Sequence, residues 1–285
     1  KGFSTKEVRG GQKCYDIIYY NDKIVVPTTL RKRVVHWYHN TLCHPGINRT
    51  EQTIRQHFTW PKLEDDVARV CKACDTCQRT KKTKKKYGKL PPKEAEGTPW
   101  DTLCIDLIGP YTIGRHNKKD LTLHCLTMID PATGWFEIVR IPIKRADVIA
   151  NLLEQTWLTR YPWPVKVNCD RGSEFMAEVK TMLQEDYGLD IKPITTRNPQ
   201  ANAILERIHQ TIGNMLRTFQ LQDSDEEQPF EGVLAAVAFA TRATIHTTLG
   251  ATPSQLVFGR DAILNTNFQA DWALIQARKQ RLINE

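Results

Sequence analysis

The 285-residue sequence predicts an α/β fold, a mixed sheet with helices on its faces, preceded by a small and mainly helical domain. Three observations carry this. Strand-like apolar runs at 102–109, 121–129 and 134–141 follow in hairpin succession, the last two joined by the turn sequence Asp130-Pro-Ala-Thr-Gly134. Helix and strand then alternate. The first 80 residues, by contrast, hold short helical patterns with too few apolar residues for a self-sufficient core.

In order, Tyr15 to Tyr20 and Lys23 to Val26 read as a β-hairpin with an Asn21-Asp22 turn. From Thr28 the pattern turns helical, with Leu30, Val34, Val35, Trp37 and Tyr38 at helix spacing. Thr50 to Phe58 is a second short helix, and Pro61 opens a third that runs through Val70. After the three strands come a helix at 146–160, a strand at 165–169, a helix at 173–187 and a short extended piece at 191–194. Helical patterns at 202–219 and 229–246 follow, and the chain thins into a polar tail after Pro253. No internal repeat is present.

At 40% hydrophobic and 25% charged, the composition is that of a globular protein with room for about two domains. No apolar stretch nears the roughly 18 residues of a membrane span, and no signal-peptide pattern opens the chain. A chain that starts on Lys1 reads as a piece of something longer. The net charge of +8 is lopsided: residues 1–93 carry 21 basic and 8 acidic residues, the rest 19 and 24. A polyanion met first by the N-terminal third fits that distribution. Arg79, Lys81, Lys82, Lys84, Lys85, Lys86 and Lys89 form a basic run before Pro91-Pro92, which suits a linker tracking a phosphate backbone and also suits a merely solvated one.

Eight cysteines divide into two kinds. Cys104, Cys125 and Cys169 lie in apolar runs and read as small buried hydrophobes. Cys74 and Cys77 pair with His39 and His44: four residues separate the histidines, two separate the cysteines, and 29 lie between the pairs. Two such pairs can hold one tetrahedral zinc, which would staple a core too thin to hold itself. His36 and Cys71 are spare candidates one turn away. A redox Cys-x-x-Cys is the rival, but it lacks its βαβ setting.

Asp106 interrupts the first apolar strand, Asp170 closes the strand at 165–169, and Glu206 sits in the first turns of the 202–219 helix, with 35 residues separating it from Asp170. A carboxylate in a buried strand needs compensation, and a divalent cation at an oxygen site is the usual form of it. Such a site activates an attacking water or hydroxyl at phosphorus and stabilises the leaving oxygen. No Ser/His/Asp or Cys/His set and no Gly-rich phosphate loop with Lys-Ser/Thr competes for the chemistry. Asp130, Glu154 and Glu174 are assigned a turn, an exposed helix position and a helix start.

His39…His44-Pro-Gly46…Trp60-Pro61…Cys74-Asp-Thr-Cys-Gln78, followed by the three acids, resembles a retroelement integrase, in detail the Pol polyproteins of Gypsy-type LTR retrotransposons. Asp106-Leu-Ile-Gly-Pro110, Asp170-Arg-Gly-Ser-Glu-Phe175, Asn198-Pro-Gln-Ala-Asn202, Thr252-Pro-Ser-Gln-Leu256 and Phe258-Gly-Arg260 belong to the same resemblance. It implies an RNase H-like five-stranded core, 3′-end processing of element DNA and strand transfer into target DNA. It further implies zinc on His39, His44, Cys74 and Cys77, and Mg²⁺ or Mn²⁺ on Asp106, Asp170 and Glu206. A homo-multimer, other Pol products as partners, no membrane, and work in the nucleus after a cytoplasmic virus-like particle are implied as well.

The expected division is a β-hairpin extension at 1–28, the zinc-binding domain at 29–80, a basic linker at 81–95, the catalytic core at 96–262, and a tail at 263–285 lacking the family's usual C-terminal module. Ala203 and Cys169 depart from the family's usual residues without touching a ligand. Two other readings stay open: an integrase-derived DNA-binding or assembly protein without chemistry, and a ribonuclease H, against which the zinc pairs and the 35-residue spacing argue.

Overall fold

The computed structural model describes residues 2–10, 13–80, 97–115, 118–170, 178–194, 209–216, 218–219 and 230–284, in two compact units, 1–81 and 82–285.

In the first unit, strands β1 (Phe3–Gly10), β2 (Lys13–Tyr20) and β3 (Lys23–Val25) form an antiparallel meander. Asn21 and Asp22 make the tight turn between β2 and β3, both at positive φ (47° and 61°), as a two-residue hairpin turn requires. The sequence reading missed the β1–β2 hairpin and a further strand, β4 (Phe58–Thr59), which pairs in parallel with β3. Two residues give no alternation to read, so β4 is visible only through its partner. Helices α1 (Thr28–Thr41), α2 (Ile47–His57), α3 (Leu63–Ala73) and α4 (Asp75–Thr80) complete the unit.

The buried stripe of α1 and its C-cap is Val35, Tyr38, His39 and Leu42, spaced i, i+3, i+4, i+7. Leu30 and Trp37, expected on the apolar face, are about half exposed instead. The core is small: Val35, Tyr38, Leu42, Ile54, Trp60, Leu63, Val67 and Val70. Trp60 enters it with its indole N–H satisfied by Asp66 Oδ2 at 2.9 Å.

The second unit is built on β5 (Thr102–Arg115), β6 (Lys118–Ile129), β7 (Phe136–Arg140), β8 (Lys166–Asp170) and β9 (Asp190–Ile194), in spatial order β7-β6-β5-β8-β9. The first three pair antiparallel, while β8 lies parallel to β5 and β9 parallel to β8. This is the expected α/β architecture, a five-stranded mixed sheet with flanking helices. Residues of β5, β6 and β8 (Leu103, Ile105, Leu126, Met128, Val167) pack with Ile149, Leu153 and Trp157 of α5 (Ala146–Leu153, continuing as a π turn through Leu158). Val179 and Leu183 of α6 (Glu178–Thr181, likewise continued through Asp186) join the same core.

Helix α7 covers 209–216. Helix α8 (Phe230–Ala243) is pinned to β7 by Arg242, which donates to the Phe136 carbonyl at 2.9 Å and to Glu137 Oε2 at 2.8 Å. Helix α9 (Pro253–Phe258) starts with Thr252 and Gln255 in a reciprocal capping box. The segment expected as a polar tail instead carries α10 (Trp272–Asn284). Its Ile275 is buried with Leu249 and Leu256, and its Lys279 donates to the Pro131 and Ala132 carbonyls. Among its described side chains Ile275 is the buried one, too weak a stripe to read as a packed helix. Among the described residues no helix is long and apolar enough to cross a membrane.

Candidate metal centre and acidic strand ends

The zinc candidates converge because of three local features. Cys43 and His44 both take left-handed φ (54° and 60°), which turns the chain sharply after α1. Non-glycine residues hold that conformation at a cost of about 1–3 kcal/mol each when the surroundings fix them. The turn closes with the His44 amide donating to the His39 carbonyl at 2.7 Å, so His44 folds back beside His39. On the other side, Cys74 caps α3 in extended backbone and Cys77 sits in α4, where the Gln78 amide donates to the Cys74 carbonyl at 3.1 Å.

One donor atom from each of His39, His44, Cys74 and Cys77 lies within 4.8 Å of the others. Cys74 Sγ stands 3.3 Å from His44 Nδ1, and Cys77 Sγ stands 3.3 Å from His39 Nε2 and 3.7 Å from His44 Nδ1. Zinc bonds of about 2.0–2.3 Å set tetrahedral edges of about 3.3–3.8 Å. The donor set and its spacing therefore fit zinc, with His39 presenting Nε2 and His44 presenting Nδ1. His36 is exposed and outside the group. Cys71 is outside it too, but its sulfur lies 3.4 Å from the other nitrogen of His39.

In the second unit Asp106 stands in the middle of β5, opposite Thr127 of β6, and Asp170 is the last residue of β8, opposite Ile194 of β9. The parallel β5–β8 ladder pairs Thr102 with Lys166 and Cys104 with Asn168. Asp106 lies two residues beyond Cys104 on β5, and Asp170 lies two residues beyond Asn168 on β8, so the two stand at equivalent chain positions on neighbouring parallel strands. The carboxyl ends of parallel strands are where open α/β sheets place ligands. Just beyond Asp106, Gly109 (φ +110°) sits at a bulge, where a Cβ would come 2.5 Å from the Leu123 carbonyl oxygen.

The sequence reading missed two neighbours of Asp106. Thr127 Oγ1 donates to the Asp106 carbonyl at 3.0 Å and lies 3.0 Å from His209 Nε2. His209 Nδ1 lies 3.6 Å from Asp106 Oδ2. Burial pushes the His209 imidazole down to about 4. The ring is neutral at pH 7, so this approach is a polar contact rather than an ion pair. A signal for His209 existed: it lies three residues after Glu206, helical spacing within the 202–219 pattern.

Glu206, Glu174 and the basic residues Lys81 to Lys89 lie outside the described residues. Arg79 is exposed and paired with Asp75 at 2.9 Å. Asp130 makes its turn, accepting from the Ala132 and Thr133 amides, the Thr133 hydroxyl and the Trp100 amide. Glu154 is not a bare exposed acid: Tyr187 donates to it at 2.5 Å, a tie between α5 and the end of α6. Cys104, Cys125 and Cys169 are buried, and no cysteine forms a disulfide.

Residues 26–83 match the family model described as the integrase zinc binding domain. The chain is 25% identical over 260 residues to the Pro-Pol polyprotein of simian foamy virus type 3, covering 91% of this chain and 22% of that protein. It is 24% identical over 225 residues to the Retrovirus-related Pol polyprotein from transposon 412 of Drosophila melanogaster, covering 79% of this chain and 18% of that protein. The Schizosaccharomyces pombe transposon Tf2-3 polyprotein is 23% identical, covering 70% of this chain and 15% of that protein. The chain thus spans about a fifth of the length of these relatives. A crystal structure of the catalytic core domain of BIV integrase superposes with a TM-score of 0.42 at 18% identity, over 55% of this chain and 93% of that one. Residues 26–83 thus match the integrase zinc binding domain, within a chain similar to viral and transposon Pol polyproteins.

Proposed function

We propose that the chain is the integrase of a Gypsy-type LTR retrotransposon, which trims the 3′ ends of element DNA and joins them to target DNA. What supports the reading is that Asp106 and Asp170 each lie two residues beyond the paired Cys104 and Asn168 on neighbouring parallel strands, in a chain whose N-terminal unit holds the His/Cys cluster. Glu206, three residues before His209 in a sequence of helical pattern, is the third acid of the proposal.

In this reading Asp106, Asp170 and Glu206 hold divalent Mg²⁺ or Mn²⁺. Such ions supply charge for the attacking and leaving oxygens of an in-line displacement at phosphorus. Asp106 is held in register by β6, its carbonyl taking the Thr127 hydroxyl, and its carboxylate is bordered by the neutral His209 ring. Neutrality matters there, since a cationic imidazole would compete with metal for the same carboxylate. The His/Cys unit and the basic residues 79–89 serve DNA binding. Joining two ends at one target calls for a homo-multimer acting in the nucleus, and other Pol products are the partners before that.

The test is end processing and joining of element-end DNA with Mg²⁺ or Mn²⁺, by the chain and by Asp170→Asn. Activity in the parent and none in a folded Asp170→Asn is the expected result. Equal activity in both refutes the site, and salt-dependent DNA binding without cleavage or joining under either metal assigns the chain a binding role instead.

A further inference from the structure

The zinc cluster uses one nitrogen of His39. Nε2 faces Cys77 Sγ, while Nδ1 points the other way, into the domain, where Cys71 Sγ lies 3.4 Å off. Both residues are buried, His39 at 1% exposure and Cys71 at 7%. Cys71 is on α3, three residues before Cys74, yet it is not among the four donors that converge. Its own S–H is directed to Thr50 Oγ1 at 3.9 Å, and that hydroxyl donates to the Pro45 carbonyl at 3.3 Å. The contacts run in one direction: His39 Nδ1–H to Cys71, Cys71 to Thr50, Thr50 to the backbone next to His44.

A neutral imidazole has one N–H, and a ring that gives its Nε2 lone pair to a metal carries that proton on Nδ1. Buried, the proton needs an acceptor, and metal-bound histidines regularly have one. We propose that Cys71 is the positioning residue of the zinc site: its sulfur accepts the Nδ1–H of His39 and so fixes the tautomer and ring orientation that present Nε2 to zinc. Because the two ring nitrogens point apart, Cys71 serves the metal through His39 and not as a fifth ligand. The inference rests on the zinc reading of the His/Cys cluster and assigns a role to a residue outside it.

The test compares the full chain with Cys71→Val, which fills similar space without an acceptor, and with Cys71→Ser, which keeps one. Zinc affinity is read by chelator competition, and the His39 tautomer by ¹⁵N NMR of the histidine-labelled, zinc-loaded protein. Loss of a partner of this kind costs about 10- to 100-fold in metal affinity. That loss is expected for Cys71→Val together with a changed His39 Nδ1–H signal, with Cys71→Ser recovering most of the affinity. Cobalt loading is expected to give thiolate-to-metal absorption of equal strength in the parent and Cys71→Val, since both keep two thiolate ligands. Unchanged affinity and tautomer in Cys71→Val overturns the proposal, as does an equal loss in both variants, or a weaker cobalt band in Cys71→Val. A parent chain that binds no stoichiometric zinc removes the zinc reading itself and the proposal with it.

Discussion

His209 Nδ1 stands 3.6 Å from Asp106 Oδ2, with Thr127 joined to both residues: its hydroxyl meets His209 Nε2 and the Asp106 carbonyl at 3.0 Å each. One threonine thus ties α7 to the middle of β5 at the acidic strand position. The side chains are 17% and 27% exposed, so the contact sits at the edge of the core, within reach of solvent.

Replacing His209 by Ala removes the ring nitrogen that bonds with the Thr127 hydroxyl and opens space beside Asp106. A lost hydrogen bond with some lost burial costs about 1–3 kcal/mol in unfolding free energy. Strand joining is expected to fall as well, because the Asp106 carboxylate loses the ring that borders it. His209→Asn keeps a donor and is expected to recover part of both. Urea unfolding and the end-joining assay check this; an Ala variant unchanged in both would sink the assigned contact.

Zinc removal is expected to act on the first unit alone. Its core has about eight large side chains, and the left-handed pair Cys43–His44 is held by the same cluster the metal closes. Structural zinc contributes folding free energy outright, and its ligands bind protons in competition with it. Chelation, acidification or Cys77→Ser should therefore raise hydrogen exchange across α1 to α4 and leave the sheet of the second unit protected. Equal loss of protection in both units would contradict the division of the chain at about residue 81.

The legible parts of the sequence were those with a strong period or a fixed ligand spacing. The strands carrying Leu103, Leu126 and Val167 are apolar runs buried in the second unit, and sequence suffices to find them. The His/Cys pairs were legible because metal geometry dictates their spacing. What sequence did not give is pairing. Phe58–Thr59 is a strand only because Ile24 and Val25 lie beside it. His209 matters only because Thr127, 82 residues away, faces it. Helix α10 was lost because its described anchors mix types, with Ile275 buried, Trp272 packed on the same cluster and Lys279 bonded to backbone carbonyls, and Trp37 misled because an aromatic on a helix need not face inward.

The Glu137–Arg242 pair is a structural tie that only the fold reveals. Glu137 accepts from Arg242 on one oxygen and from Tyr161 on the other, and the Arg242 guanidinium lies 4.7 Å from the Trp135 ring centroid. The two side chains are 10% and 23% exposed. Removing one member strands the other, at a cost of about 3 kcal/mol. Arg242→Met and Glu137→Gln should each destabilise the second unit by that order. The double variant is expected to lose less than their sum, which a double-mutant cycle in urea measures. Strict additivity would show that the pair carries no coupling.

Cys125 offers a prediction in pH. Burial pushes its thiol up from 9.0 to about 12, only partly opposed by Arg140, and burial pushes Cys43 up to about 11. A raised thiol means that the folded chain keeps a proton the unfolded chain releases. The stability contributed by the neutral thiol is therefore full below pH 9 and is lost as pH rises from 9 towards 12. At pH 8 the buried thiolate is scarce, whereas Cys14 on β2 is exposed. Brief alkylation of the folded protein at pH 8 should label Cys14 and spare Cys43 and Cys125, as read by mass spectrometry. Cys125→Ala should reduce the alkaline fall in unfolding free energy measured between pH 8 and 10. Labelling of Cys125 at the rate of Cys14 would mean that β6 is not packed as described.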